Sequence, residues 1–203
     1  MCTSIPDGVD NPAKILVEDK LHELTLSIRH MSEPFPIRGE GRVRIVKPLP
    51  FDPGKPDEPL YLTLAETLVP KGLTKALIIL NPDPNPNKGS PVFKCRVLDL
   101  AEFEGGDYLY LNLSPTNILV VLGKERIPLR PGALRIQRNR GLAGPQNTPL
   151  SFFRYEMKEK QWKLIVATTV VVQPTRREIC VFKWDPKYKR VDFQGATFPV
   201  DPP

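Results

Sequence analysis

Histidine is almost missing: the chain has two, His22 and His30, among 203 residues. That scarcity removes most of the material for histidine-dependent catalysis or metal binding. The pair stands eight residues apart, about 26 Å along an extended strand, too far to share one metal. Cysteine is nearly as rare, with Cys2, Cys95 and Cys180 widely spaced. An odd, scattered set carries neither a zinc signature nor a disulfide framework. Cys95 and Cys180 fall in apolar runs and are expected as two buried thiols, a single bridge between their strands being the alternative. No run approaches 18 apolar residues, the length that marks a membrane-spanning helix. Phosphate loops, dinucleotide fingerprints and metal-spaced His/Asp/Glu clusters are absent too. Glu102 and Glu104 pair two carboxylates, but beside Gly105-Gly106 they read as a solvated turn. The expectation is a chain that is not an enzyme, with no cofactor and no metal.

What the chain has in excess is proline, 24 residues against 13 glycines. Together they stay below the share that marks a disordered low-complexity chain. A content of 40% hydrophobic and 26% charged residues suits a globular core. Twelve prolines lie between Pro34 and Pro91, where they favour connections and sheet edges, since proline cannot donate to a ladder. A formal charge of +6 and a pI near 9.3 permit contact with acidic polymers but equally suit plain solubility. The opening MCTSIPDGVDNPAK has no basic segment followed by an apolar one. Read literally, it keeps the chain in the cytoplasm. A start placed too late, or Cys2 as the first residue of a mature lipoprotein behind Met1, would make it periplasmic or secreted.

Strand signals dominate. Residues 24–28, 42–45 and 60–64 alternate apolar and polar at period two. A short apolar run at 76–80 ends in the turn-rich breaker NPDPNPNKGSP at 81–91. Phe93, Cys95 and Val97 then alternate with Lys94 and Arg96, and further strand-like runs follow to residue 193. The best helical candidate, 61–68, stops against Pro70 and offers two turns at most. About eleven or twelve short strands with no helices between them predict an all-β fold. The expected form is a two-layer antiparallel β-sandwich of Ig-like or Greek-key type. Residues 1–14 are expected as a flexible N-terminal segment and 15–200 as one sandwich domain, the alternative being two β lobes, 15–80 and 92–200. The predicted core comprises Leu26, Ile28, Val43, Ile45, Phe93, Cys95, Val97, Leu109, Leu111, Val120, Leu164, Val166 and Phe182.

Arg126, Arg130, Arg135, Arg138 and Arg140 crowd one stretch and form a candidate polyanion-binding cluster, because guanidinium forks grip carboxylate or phosphate. A nucleic-acid surface would interleave aromatics with those charges; here the aromatics lie elsewhere, which disfavours nucleic acid. Trp184 and Tyr188 are a candidate ring platform for sugar, in competition with ordinary cross-strand packing. Asn112-Leu113-Ser114 matches a glycosylation sequon, with Pro115 directly behind it.

The run GDYLYLNLSPTNILVVLGKERIPLRPGALRI, residues 106–136, has a distinct cadence. One strand ends in Asn-Leu-Ser, the next in Leu-Gly, and the third leads to Leu-Arg-Pro-Gly. It resembles Ig-like β-sandwich modules of bacterial envelope proteins, including the alginate O-acetylation accessory type, and uncharacterised secreted proteins with the same run. The resemblance implies a non-catalytic, exported β module. The expected role is therefore an interaction or structural module of the envelope whose partner is another protein. The alternative is a binding module for a carbohydrate, polysaccharide or other polyanion.

Overall fold

The computed structural model describes residues 1–17, 20–37, 41–50, 60–83, 86–87 and 89–200. Strands take 56% of these residues and helix 2%, which makes the protein all-β. The helix is one 3-10 turn at Leu100–Glu102. Among the described residues no helix is long and apolar enough to cross a membrane. The chain divides into two compact units, Met1–Glu102 and Phe103–Pro203.

The first unit holds β1 (Ala13–Val17), β2 (Lys20–Leu24), β3 (Arg42–Pro48), β4 (Tyr61–Leu68), β5 (Ala76–Pro82) and β6 (Phe93–Asp99). The first four form an antiparallel sheet in the order β2-β1-β3-β4, and β5 pairs with β6. The breaker at 81–91 therefore joins two paired strands, with Pro82 opposite Phe93. Alternation in β3 sets Arg42 and Arg44 against buried Val43 and Ile45, as its period-two pattern requires. Their side chains join Ile15, Val17, Leu24, Leu26, Leu80 and Phe93 in one core. The segment 61–68, the best helical candidate, is strand β4: Leu62, Thr63, Thr67 and Leu68 find ladder partners on β3. The ladder is irregular between Ile45 and Val46. Leu64 has no residue opposite, so Leu64 and Ala65 are buried in succession while Leu62 is exposed.

The second unit holds β7 (Tyr108–Asn112), β8 (Ile118–Leu122), β9 (Glu125–Leu129), β10 (Leu134–Gln137), β11 (Gln146–Glu156), β12 (Gln161–Val172), β13 (Arg176–Asp185) and β14 (Arg190–Pro199). They make two four-stranded sheets, β10-β7-β13-β14 and β12-β11-β8-β9. Every pair is antiparallel except β7 with β13. Tyr108, Tyr110, Cys180 and Phe182 from one sheet meet Ile118, Val120, Leu150 and Phe152 from the other in a single core. Phe152 sits at its centre, edge-on to Phe182 at 4.9 Å and to Phe193 at 5.1 Å. Such edge-to-face contacts suit the ring quadrupoles.

Two polar devices hold the turns of this unit. Asn112 is fully buried, and its amide donates to the carbonyls of Thr116 and Leu129 at 2.8 and 3.1 Å. Its Oδ1 accepts from the backbone and hydroxyl of Ser114 at 3.0 and 2.7 Å. This explains the Asn-Leu-Ser cadence physically, and it places the sequon nitrogen out of reach of a glycan. At the other end Asp107 accepts backbone N–H groups of Glu104 and Asn139, each at 3.0 Å. The neighbouring Gly105 is obligatory, because a Cβ there would lie 1.6 Å from the carbonyl oxygen of Pro174.

Most of the predicted core is buried, with Ile28, Cys95, Val97 and Val166 only half so. Leu164 departs outright: it is 57% exposed. A bulge in the β11–β12 ladder, where Phe152 faces Val166 but Phe153 faces Leu164, turns the inward parity over at Ile165. Cys95 and Cys180 are not disulfide-bonded, so the alternative of a bridge between them is set aside.

Candidate functional site

The two sheets of the second unit do not close along one side. There the last strand of each, β12 and β14, leaves a cleft of about 340 Å³. One wall comes from Leu150, Phe152, Val166, Thr168 and Val170, and the other from Tyr108, Glu178, Cys180, Phe193, Gly195 and Thr197. The walls follow from strand parity. Cys180 faces Gly195 across the ladder and Phe182 faces Phe193, so these four share the inward side.

Gly195 keeps the cleft open. It lies in mid-strand opposite Cys180, and a Cβ built on it meets no atom within 4 Å. Its neighbours Phe193 and Thr197 are exposed. Across the gap, Thr168 and Val171 of β12 are exposed as well. Neither strand has a described partner on its outer edge, so both carry unpaired ladder groups. β12 offers them over twelve residues without a proline, about 40 Å of edge. Outside the cleft, the same hairpin presents Trp162, 41% exposed, beside Leu164, with the Trp162 ring edge-on to Tyr155 at 5.3 Å.

Burial shifts three polar groups of the cleft toward their neutral forms, and Arg176 lines it beside them. Burial pushes the Cys180 thiol up to about 12, with the nearby Glu178 carboxylate adding to the effect. A thiol so placed stays protonated at neutral pH and is a poor nucleophile. Burial likewise raises the Tyr108 hydroxyl, again with help from Glu178. Glu178 itself is raised by burial, against the pull of a 2.7 Å hydrogen bond from Thr197 Oγ1 and of the Arg176 charge. The arrangement favours an apolar occupant with a few neutral hydrogen-bonding groups over an ionic one.

The residues singled out from the sequence lie apart from this cleft. Arg126 is on β9 and Arg135 on β10, strands that end different sheets. Arg135 donates to the carbonyl of Leu134 at 3.1 Å. Arg130 and Arg138 are exposed, and Arg138 bears on the charge of Asp107. Arg140 is committed to the carboxylates of Glu104 and Asp107. Trp184 is half-exposed on β13. Tyr188, in the β13–β14 turn, has Lys187 and Arg190 each 5.2 Å from its ring centre. His22 lies on β2 against the Phe35 ring at 5.7 Å, and His30 on a bend beyond it.

Sequence reasoning missed the cleft, although one signal for it was present. A glycine inside a strand marks a place where another backbone or a ligand comes close, and Gly195 sits within such an alternating run. No family model matches the chain, and comparison with curated proteins finds no match.

Proposed function

We propose that this protein is a non-catalytic binding module that takes up an extended strand of another protein in the cleft between β12 and β14. The observation that carries the reading is the pair of unpaired, exposed strand edges flanking an apolar cleft that Gly195 leaves unfilled. Strand addition draws its affinity from main-chain hydrogen bonds and its selectivity from alternate side chains. A strand laid along β12 would place every second residue over Val166, Thr168 and Val170 and the others beside Trp162 and Leu164. The resemblance of residues 106–136 to envelope β modules agrees with such a role.

The test uses the full chain and a displayed library of twelve-residue peptides. Selected peptides are expected to alternate apolar and polar residues and to slow amide exchange in β12 or β14. Binding should fall at least tenfold in Gly195→Phe, whose ring would enter open space and leave the fold intact. Peptides that bind the variant equally well, or that protect neither strand, would overturn the proposal. Binding that collapses as salt rises would instead indicate counterion release at the arginines.

A further inference from the structure

The first unit contains a larger feature that the strand-binding reading does not use. Beside its core lies a partly open pocket of about 610 Å³. Protein interiors are packed like organic crystals, with few voids larger than a water molecule. A space of this size falls instead in the range of small-molecule sites. Its walls are contributed by both layers of the unit: Ile15, Val43 and Ala65 from the four-stranded sheet, Ile78 and Leu80 from β5. These are members or neighbours of the unit's own hydrophobic core, so the pocket reaches inward as far as the core.

The chemistry of the lining selects the ligand. Side chains along the strands are almost all aliphatic, and the one aromatic ring is Phe35, on the coil at 31–37 that closes one wall. Of its polar side chains, Thr25, Ser32, Glu33, Thr74 and Lys75 are exposed, while Ser27 and Thr67 are half-buried. With few directional partners in the interior, the site can recognise shape and apolar area but not a pattern of hydrogen bonds. We infer that the cavity binds the hydrocarbon chain of a single-chain amphiphile, such as a fatty acid, with its polar head among the exposed groups. Each methylene removed from water adds to the affinity, which lets a flexible alkyl chain bind without a specific polar anchor.

The experiment is a titration of the full-length protein with cis-parinaric acid, a fluorescent fatty acid, followed by displacement with palmitate. Saturable binding of one probe per chain is expected, reversed by palmitate. Ala65→Phe and Thr67→Phe should each weaken the probe at least tenfold by occupying the space. Should either variant fail to fold, amide exchange of the unaltered protein provides the independent reading: palmitate must slow exchange in β1, β3 and β4. Gly195→Phe must leave probe binding unchanged, which separates this site from the strand cleft. No saturable binding, equal binding in a folded filled variant, or no protection of those strands would overturn the inference.

Discussion

Replacing Asn112 with alanine isolates the polar knot that fastens the end of β7 to the turn ahead of β8 and to the end of β9. Four hydrogen bonds are lost together: two donated to Thr116 and Leu129, and two accepted from Ser114. At about 1 kcal/mol net for each, plus the space left at a residue with no exposed surface, the expected loss is roughly 3–5 kcal/mol. A unit of this size has about 5–15 kcal/mol in total, so the variant should lose a large share of its stability. At about 4–8 °C per kcal/mol, the melting temperature should drop by about 15 °C or more. Both tryptophans, Trp162 and Trp184, lie in the second unit, so their fluorescence reports its unfolding alone. Asn112→Asp separates hydrogen-bond donation from space filling. Its carboxylate would face two carbonyl oxygens, which raises its folded-state pKa. The damage should therefore be least below the unfolded value of about 3.9 and grow as pH rises through the folded one. A melting point within 3 °C or so of the parent for the alanine variant would refute the reasoning.

Two further outcomes follow from the same structure. Glu178 is raised by burial, so its ionisation opposes folding, and the stability it contributes is present at low pH and lost as pH rises through its folded pKa. Glu178→Gln should accordingly gain stability over the parent between pH 4 and 7 while matching it near pH 3, measured by urea unfolding. Val120→Asp, at a site with no exposed surface, should cost several kcal/mol and abolish soluble protein. Leu164→Asp, exposed beyond the bulge, should cost less than about 1 kcal/mol. Equal damage from the two would mean that the faces of β12 are misassigned.

The regular strands were legible because their periodicity is local. Arg42 to Ile45 states which side faces the core, and the run from Tyr108 to Leu122 marks two strands and the turn between them. What was hidden depends on pairing. The bulges opposite Phe152 and at Ile45 arise when two strands of unequal count are laid together, so Leu164 looks like a core residue in one dimension and is not one in three. The surroundings of the arginine stretch were hidden for a related reason. Arg140 meets Glu104 and Asp107, more than thirty residues earlier, and Arg126 and Arg135 leave on strands of different sheets. The cleft belongs to the same class, since it exists only because β12 and β14 each end a sheet on the same side. Gly195 was its one local trace.

The parallel pairing of β7 with β13 governs the order in which the second unit can be made. Tyr108 lies beside Glu178, so β7 waits for about seventy residues to be synthesised before its second neighbour exists. By then β8, β9, β11 and β12 have all emerged, and their four-stranded sheet can form first. Until β13 arrives, that sheet faces only the β7–β10 pair. Contacts so distant in sequence form slowly, because a long loop must close before they stabilise anything. The nascent chain thus exposes Phe152 and Val120 late into translation. Completion of the fold rests on its final two strands, so a ribosome stalled before Asp185 would hold a half-built, aggregation-prone sandwich.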